Sequence, residues 1–150
     1  MHHEPTFTCT LILGTSNTST GRFAIGLGLI TVAGAGFTEL DGHNFCGFYL
    51  KKTSGTVKLG IFQQKSDNSY DYENDVVTVS SGGTLELFMK VKSSGVTYWY
   101  RSNAGTLVEI DTLTTGNPAD QVESNVYIAN TNMGNAADYD VQVTCAGYEH

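Results

Sequence analysis

Basic residues are scarce in this sequence. Eight Lys and Arg stand against 15 Asp and Glu, for a net charge of −7. Lys51 and Lys52 form the one adjacent basic pair. A surface that follows phosphates needs a basic patch, so nucleic-acid binding is excluded. Charge of either sign is thin, at 15% of residues against about 25% in an ordinary domain. Proline occurs twice, as Pro5 and Pro118, both outside strand interiors as a β-ladder requires. No stretch carries a helical period. The least polar stretch, Phe23 to Phe37, is broken by glycines and too short to cross a bilayer as a helix, so no membrane partner is expected. The N-terminus lacks the basic and apolar regions of a secretion signal. The Met start and the missing leader lead us to expect a complete product, assembled inside the cell.

Cysteine is also rare, and odd in number: Cys9, Cys46 and Cys145. The simplest reading makes all three small buried hydrophobes in a reducing cytoplasm. Cys9 and Cys145 lie near opposite ends of the chain. A disulfide between them would require the first and last strands to pair.

What is present is alternation. Phe7, Cys9, Leu11 and Leu13 alternate with Thr6, Thr8, Thr10 and Ile12. A period of two sends one set to one sheet face and the other set to the opposite face. The same pattern predicts strands over 6–13, 22–30, 45–51, 57–63, 76–79, 85–91, 96–101, 107–110, 126–130 and 139–145. Gly/Asn/Ser/Thr turns separate them, with Asp41-Gly42 read as a turn and 64–75 as an acidic loop. With 40% hydrophobic and 11% aromatic residues the chain is no disordered tail. Ten short strands in 150 residues predict one all-β domain, an antiparallel two-sheet β-sandwich of the jelly-roll kind.

Three stretches bear on chemistry. Asp67, Asp71, Glu73 and Asp75 recur at even spacing, as oxygen ligands do at the start of a calcium loop. Tyr72 stands where an EF-hand needs Gly, and Thr78 where it needs Glu, so calcium is at most a candidate and no cofactor is expected. Glu109 and Asp111 partly resemble the Glu-x-Asp-x-x-Glu strand of laminarinase-type glycoside hydrolases. Retaining hydrolysis needs two carboxylates roughly 5–5.5 Å apart. Thr114 occupies the place of the second Glu, so no catalytic residues are assigned and no enzyme is expected. Tyr70, Tyr72 and Trp99 offer flat rings for sugar faces. Trp99 lies out of phase with Tyr98 and Tyr100, so only one of those two sets can join the core.

Several segments carry a family resemblance: 21–27 (GRFAIGL), 41–49 (DGHNFCGFY), 84–91 (TLELFMKV), 96–100 (VTYWY) and 137–143 (ADYDVQV). Together they resemble the concanavalin A-like jelly-roll domains of tailed-bacteriophage structural proteins. The resemblance implies a non-enzymatic virion protein assembled in the host cytoplasm. It would be a capsid decoration (cement) protein or a small fibre or tail accessory. Its partners would be other virion proteins and further copies of itself, as a trimer or dimer. The alternative is a carbohydrate-binding module for host-surface glycans, using Tyr70, Tyr72 and Trp99.

Overall fold

The computed structural model describes residues 4–15, 21–32, 40–53, 56–65, 69–118, 126–132 and 141–149. Ten strands form: β1 (Thr6–Leu13), β2 (Gly21–Val32), β3 (Leu40–Thr53), β4 (Thr56–Gln64), β5 (Tyr70–Val79), β6 (Thr84–Lys92), β7 (Gly95–Ser102), β8 (Val108–Leu113), β9 (Val126–Asn132) and β10 (Val141–Glu149). They make two five-stranded antiparallel sheets. The first runs β10-β1-β6-β7-β8 and the second β5-β4-β3-β2-β9. The chain is an antiparallel jelly-roll β-sandwich.

Alternation explains the packing. Phe7, Cys9, Leu11 and Leu13 of β1 are buried, as are Leu85, Leu87, Met89 and Val91 of β6. They meet Phe23, Ile25 and Leu27 of β2, Cys46, Phe48 and Leu50 of β3, and Val57, Leu59 and Ile61 of β4 in one core. Burying each large apolar side chain is worth about 1.5–3 kcal/mol, so this layer dominates the stability. Tyr98 crosses it from the first sheet. Its ring stands edge-on to Phe48 at 5.4 Å and 89°, and its hydroxyl donates to the Phe62 carbonyl of the second sheet at 3.1 Å.

The second sheet also has apolar residues on its outer face. Gly26 lies directly opposite Gly47. The Phe45 ring rests over both, so a Cβ on either glycine would come within 2.9 Å of it. Phe45 in turn packs on Phe62, with ring centroids 6.1 Å apart. Phe45, Tyr49 and Phe62 are all about 1% exposed. The backbones of β2 and β3 approach closely here because neither carries a side chain.

Four sequence expectations change. Asp41-Gly42 is no turn: both residues sit in the ladder, opposite Thr31 and Ile30. The acidic stretch 70–75 belongs to β5 rather than to a loop. β8 extends to Leu113. The last strand continues to Glu149, and the irregularity opposite Thr10/Leu11 takes Cys145 out of phase with Val143. β1 and β10 do pair, with Ala146 opposite Cys9 and Cys145 opposite Thr10. Cys9 and Cys145 are thus not direct cross-strand partners. Burial pushes the Cys46 thiol well above its ordinary range, which makes it a poor nucleophile.

Candidate functional site

The two outer faces differ. On the first sheet, Trp99 lies opposite Phe88. The Trp99 indole nitrogen donates to Glu109 at 3.1 Å. Arg101 grips Glu86 through two 2.6 Å hydrogen bonds, and its guanidinium stands 5.7 Å from the Phe88 ring centre. Lys90 pairs with Glu4 at 2.7 Å. The polar groups named on this face already have partners. The Arg101–Glu86 bond holds the Glu86 carboxyl below its ordinary range and the guanidinium above its own.

On the second sheet, Tyr70 lies opposite Gln64 and Tyr72 opposite Phe62. Residues two apart on a strand share a face, and the two rings stack at 5.9 Å and 19°. Tyr70 is 48% exposed. The turn after β8 supports its backbone: Gly116, at φ +65°, sits so close to Ser69 and Tyr70 that an added Cβ would lie 2.4 Å from the Ser69 carbonyl oxygen. Gln63, fully buried, donates to the Thr115 carbonyl at 2.7 Å and ties the same turn to β4.

Farther along this outer face lies a pocket of about 200 Å³ lined by Lys51, Thr53, Thr56, Lys58 and Asp75. Lys51 and Lys58 are direct cross-strand partners. The Lys58 ammonium donates to the Thr78 hydroxyl at 2.6 Å. Lys52, next to Lys51 in sequence, turns the other way, and burial lowers its pKa. Sequence reasoning missed this pocket. A hairpin register counted out from Thr53-Ser54-Gly55 would have paired Lys51 with Lys58.

The structure separates the sugar-binding candidates. Tyr70 and Tyr72 occupy one side of the sandwich and Trp99 the other, so they cannot serve one site. It also separates the calcium candidates. Asp71 and Glu73 lie opposite Gln63 and Ile61, whose side chains point inward. Asp75, at φ +54°, lines the outer pocket. Asp67 lies outside the described residues. Among the described residues, no group of three His, Cys, Asp or Glu side chains is arranged to hold a metal ion. The acids of β8 part as well. A register shift in β8 sets Glu109 opposite Trp99 and Asp111 opposite Tyr98, on different faces.

Asp111, on the edge strand of the first sheet, lies near Glu73, on the edge strand of the second, where the two carboxyls can share a proton in a hydrogen bond. The Glu73 carboxyl is raised above its ordinary 4.5 first by burial, then by that bond and by the charges of Asp111 and Asp71. The folded chain therefore holds this proton more tightly than the unfolded chain. Its stabilising contribution is whole below about pH 4.5 and is lost as pH rises through the raised value. Glu73→Gln should melt higher than the wild type at pH 7 and flatten the pH dependence that begins at about pH 4.5. With this group partly in solvent, the gain is under about 1 kcal/mol. Thermal melts at pH 4 and pH 7 measure it.

No protein-family model and no curated protein matches the sequence. Solved structures share its fold. The CBM2 module of the evolved Dit of Lactobacillus casei BL23 phage J-1 superposes with a TM-score of 0.65 at 11% identity, over 98% of this chain and 61% of that one. The alginate lyase of Klebsiella pneumoniae gives 0.62 at 10% identity, over 98% and 60%. The GH43 protein BlXynB of Bacillus licheniformis gives 0.58 at 12% identity, over 98% and 27%. The chain spans about three fifths of the first two. At these identities the likeness is one of fold.

Proposed function

We propose that this chain is a non-enzymatic glycan-binding module of a bacteriophage virion protein, with the Tyr70/Tyr72 face of the second sheet as its binding surface. The observation that carries this reading is the stacked, solvent-facing tyrosine pair on a sheet whose neighbouring aromatics are packed and fixed. Rigid rings with a polar tip supply contact area at low entropic cost. The fold shared with a module of a phage Dit supports the virion setting. The split between Glu109 and Asp111 supports binding without hydrolysis. In this setting, other virion proteins anchor the module, in the head or in the tail, and it acts there as several copies.

The test is a pull-down of purified protein on insoluble polysaccharides and host cell walls. Tyr70→Ala/Tyr72→Ala should weaken binding at least about tenfold, the effect of losing roughly 1.4 kcal/mol of contact. Trp99→Ala, on the opposite side, should leave binding intact. The reverse pattern would move the site to the first sheet. Absence of binding to every glycan and wall preparation would sink the proposal.

A further inference from the structure

Lys51 and Lys58 face each other across β3 and β4, and the register sets Arg22 opposite Lys51 on the next strand. This places a row of basic residues across three adjacent strands of a chain with only eight of them. Like charges directly opposite each other on a sheet are destabilising. Neither pocket lysine forms an ion pair with a described side chain; those seen between described side chains are Lys90–Glu4 and Arg101–Glu86, and Lys90, Arg101 and Glu86 belong to the first sheet. Asp75 lines the lysine pocket without forming an ion pair there. Repulsion of that kind would be offset by an anion seated in the pocket.

The pocket lies on the same outer face as Tyr70 and Tyr72. Lys58 and Phe62, the cross-strand partner of Tyr72, are four residues apart on β4. At about 3.3 Å per residue this is roughly 13 Å. The spacing suits a chain of several sugar rings lying along the β5 edge, where Asp75 and Thr78 are exposed, with rings on the tyrosines and an acidic group at the lysines. Thr53 and Thr56, both exposed, add hydroxyls at the rim.

We infer that the Lys51/Lys58 pocket is a subsite for a carboxylate of an acidic polysaccharide, a polymer of uronic acids, bound along the outer face of the second sheet. This rests on the glycan-binding reading and names its substrate class. A lysine ammonium is a compact point charge with three donors, which suits a sugar carboxylate held among hydroxyls. The chain as a whole is acidic, so attraction of a polyanion is local to this pocket and is weakened by salt.

The probe is polygalacturonate, compared with the same polymer highly methyl-esterified. Binding is read by affinity electrophoresis and calorimetry at low and high salt. Wild type should bind the free acid at least tenfold more tightly than the ester. Lys51→Ala/Lys58→Ala should remove that difference while melting no lower than the wild type. Lys90→Ala/Lys92→Ala changes the net charge equally and should keep the difference. Equal affinity for acid and ester overturns this inference, as does equal loss in the two lysine pairs. Polygalacturonate left unbound overturns it too. In each of these cases, binding of a neutral glycan that is lost in Tyr70→Ala/Tyr72→Ala would leave the broader reading standing.

Discussion

Tyr98→Ala should lower stability by about 3–5 kcal/mol, a fall in melting temperature of roughly 10 °C or more for a chain of this size. Three losses combine. The buried ring leaves a cavity against Phe48, its edge-on partner at 5.4 Å. The hydroxyl no longer satisfies the Phe62 carbonyl at 3.1 Å. Gln63, whose side-chain oxygen stands 3.4 Å from that hydroxyl, loses a neighbour while remaining fully buried. Tyr98→Phe keeps the ring and removes only the hydrogen bonds, so it should cost about 1–2 kcal/mol. Urea melts of the three proteins separate cavity from hydrogen bond. A Phe variant as unstable as the Ala variant would show that the inter-sheet hydrogen bond, not the ring, holds the sheets in register.

Gly47→Ala should cost about 2–3 kcal/mol, although it adds a single methyl group to a strand. That methyl would lie 2.4 Å from the Ile25 carbonyl oxygen and 2.8 Å from the Gly26 Cα, both backbone atoms of the paired strand. Backbone in the middle of a ladder cannot step aside as a flexible side chain can. It would also strike the Phe45 ring at 2.7 Å, so the outer aromatic layer has to shift with it. Gly147→Ala is the matched control. Nothing lies within 4 Å of its added Cβ, and Ala is the better strand residue by some tenths of a kcal/mol. It should be neutral or slightly stabilising. Equal melts for the two variants would mean that β2 and β3 yield at Gly26 and Gly47.

These two sites show what was legible in the sequence. The strands with apolar inward sets were readable, because hydrophobic period two is a direct image of a one-sided core. Only the last part of β5 was recognised. Its inward residues Asp71 and Glu73 face the seam rather than the core, so the apolar period is absent where the strand begins. Asp41-Gly42 misled for a related reason. A dipeptide that favours turns was overridden by pairing along a long β2–β3 ladder. The candidate site was only half readable. Period two set Trp99 apart from Tyr98, while Tyr70 and Tyr72 were grouped only as neighbours in a stretch read as a loop. Which sheet each belongs to depends on pairing between distant strands, and no local pattern carries that. The shift opposite Tyr98 and Trp99 resets the period in β8, so counting alone could not separate Glu109 from Asp111.

The pairing of β1 with β10 has a consequence of its own. Thr6 and Glu149 are direct partners, and antiparallel partners stand only about 4.5–5.5 Å apart. Entry and exit of the fold therefore share one doorway. A unit built this way can be spliced into a surface loop of another polypeptide without prising the loop ends apart, because the closure adds almost no span. Such a cassette is transferable between scaffolds as a whole, and its ends can be joined and reopened elsewhere with the two sheets left undisturbed.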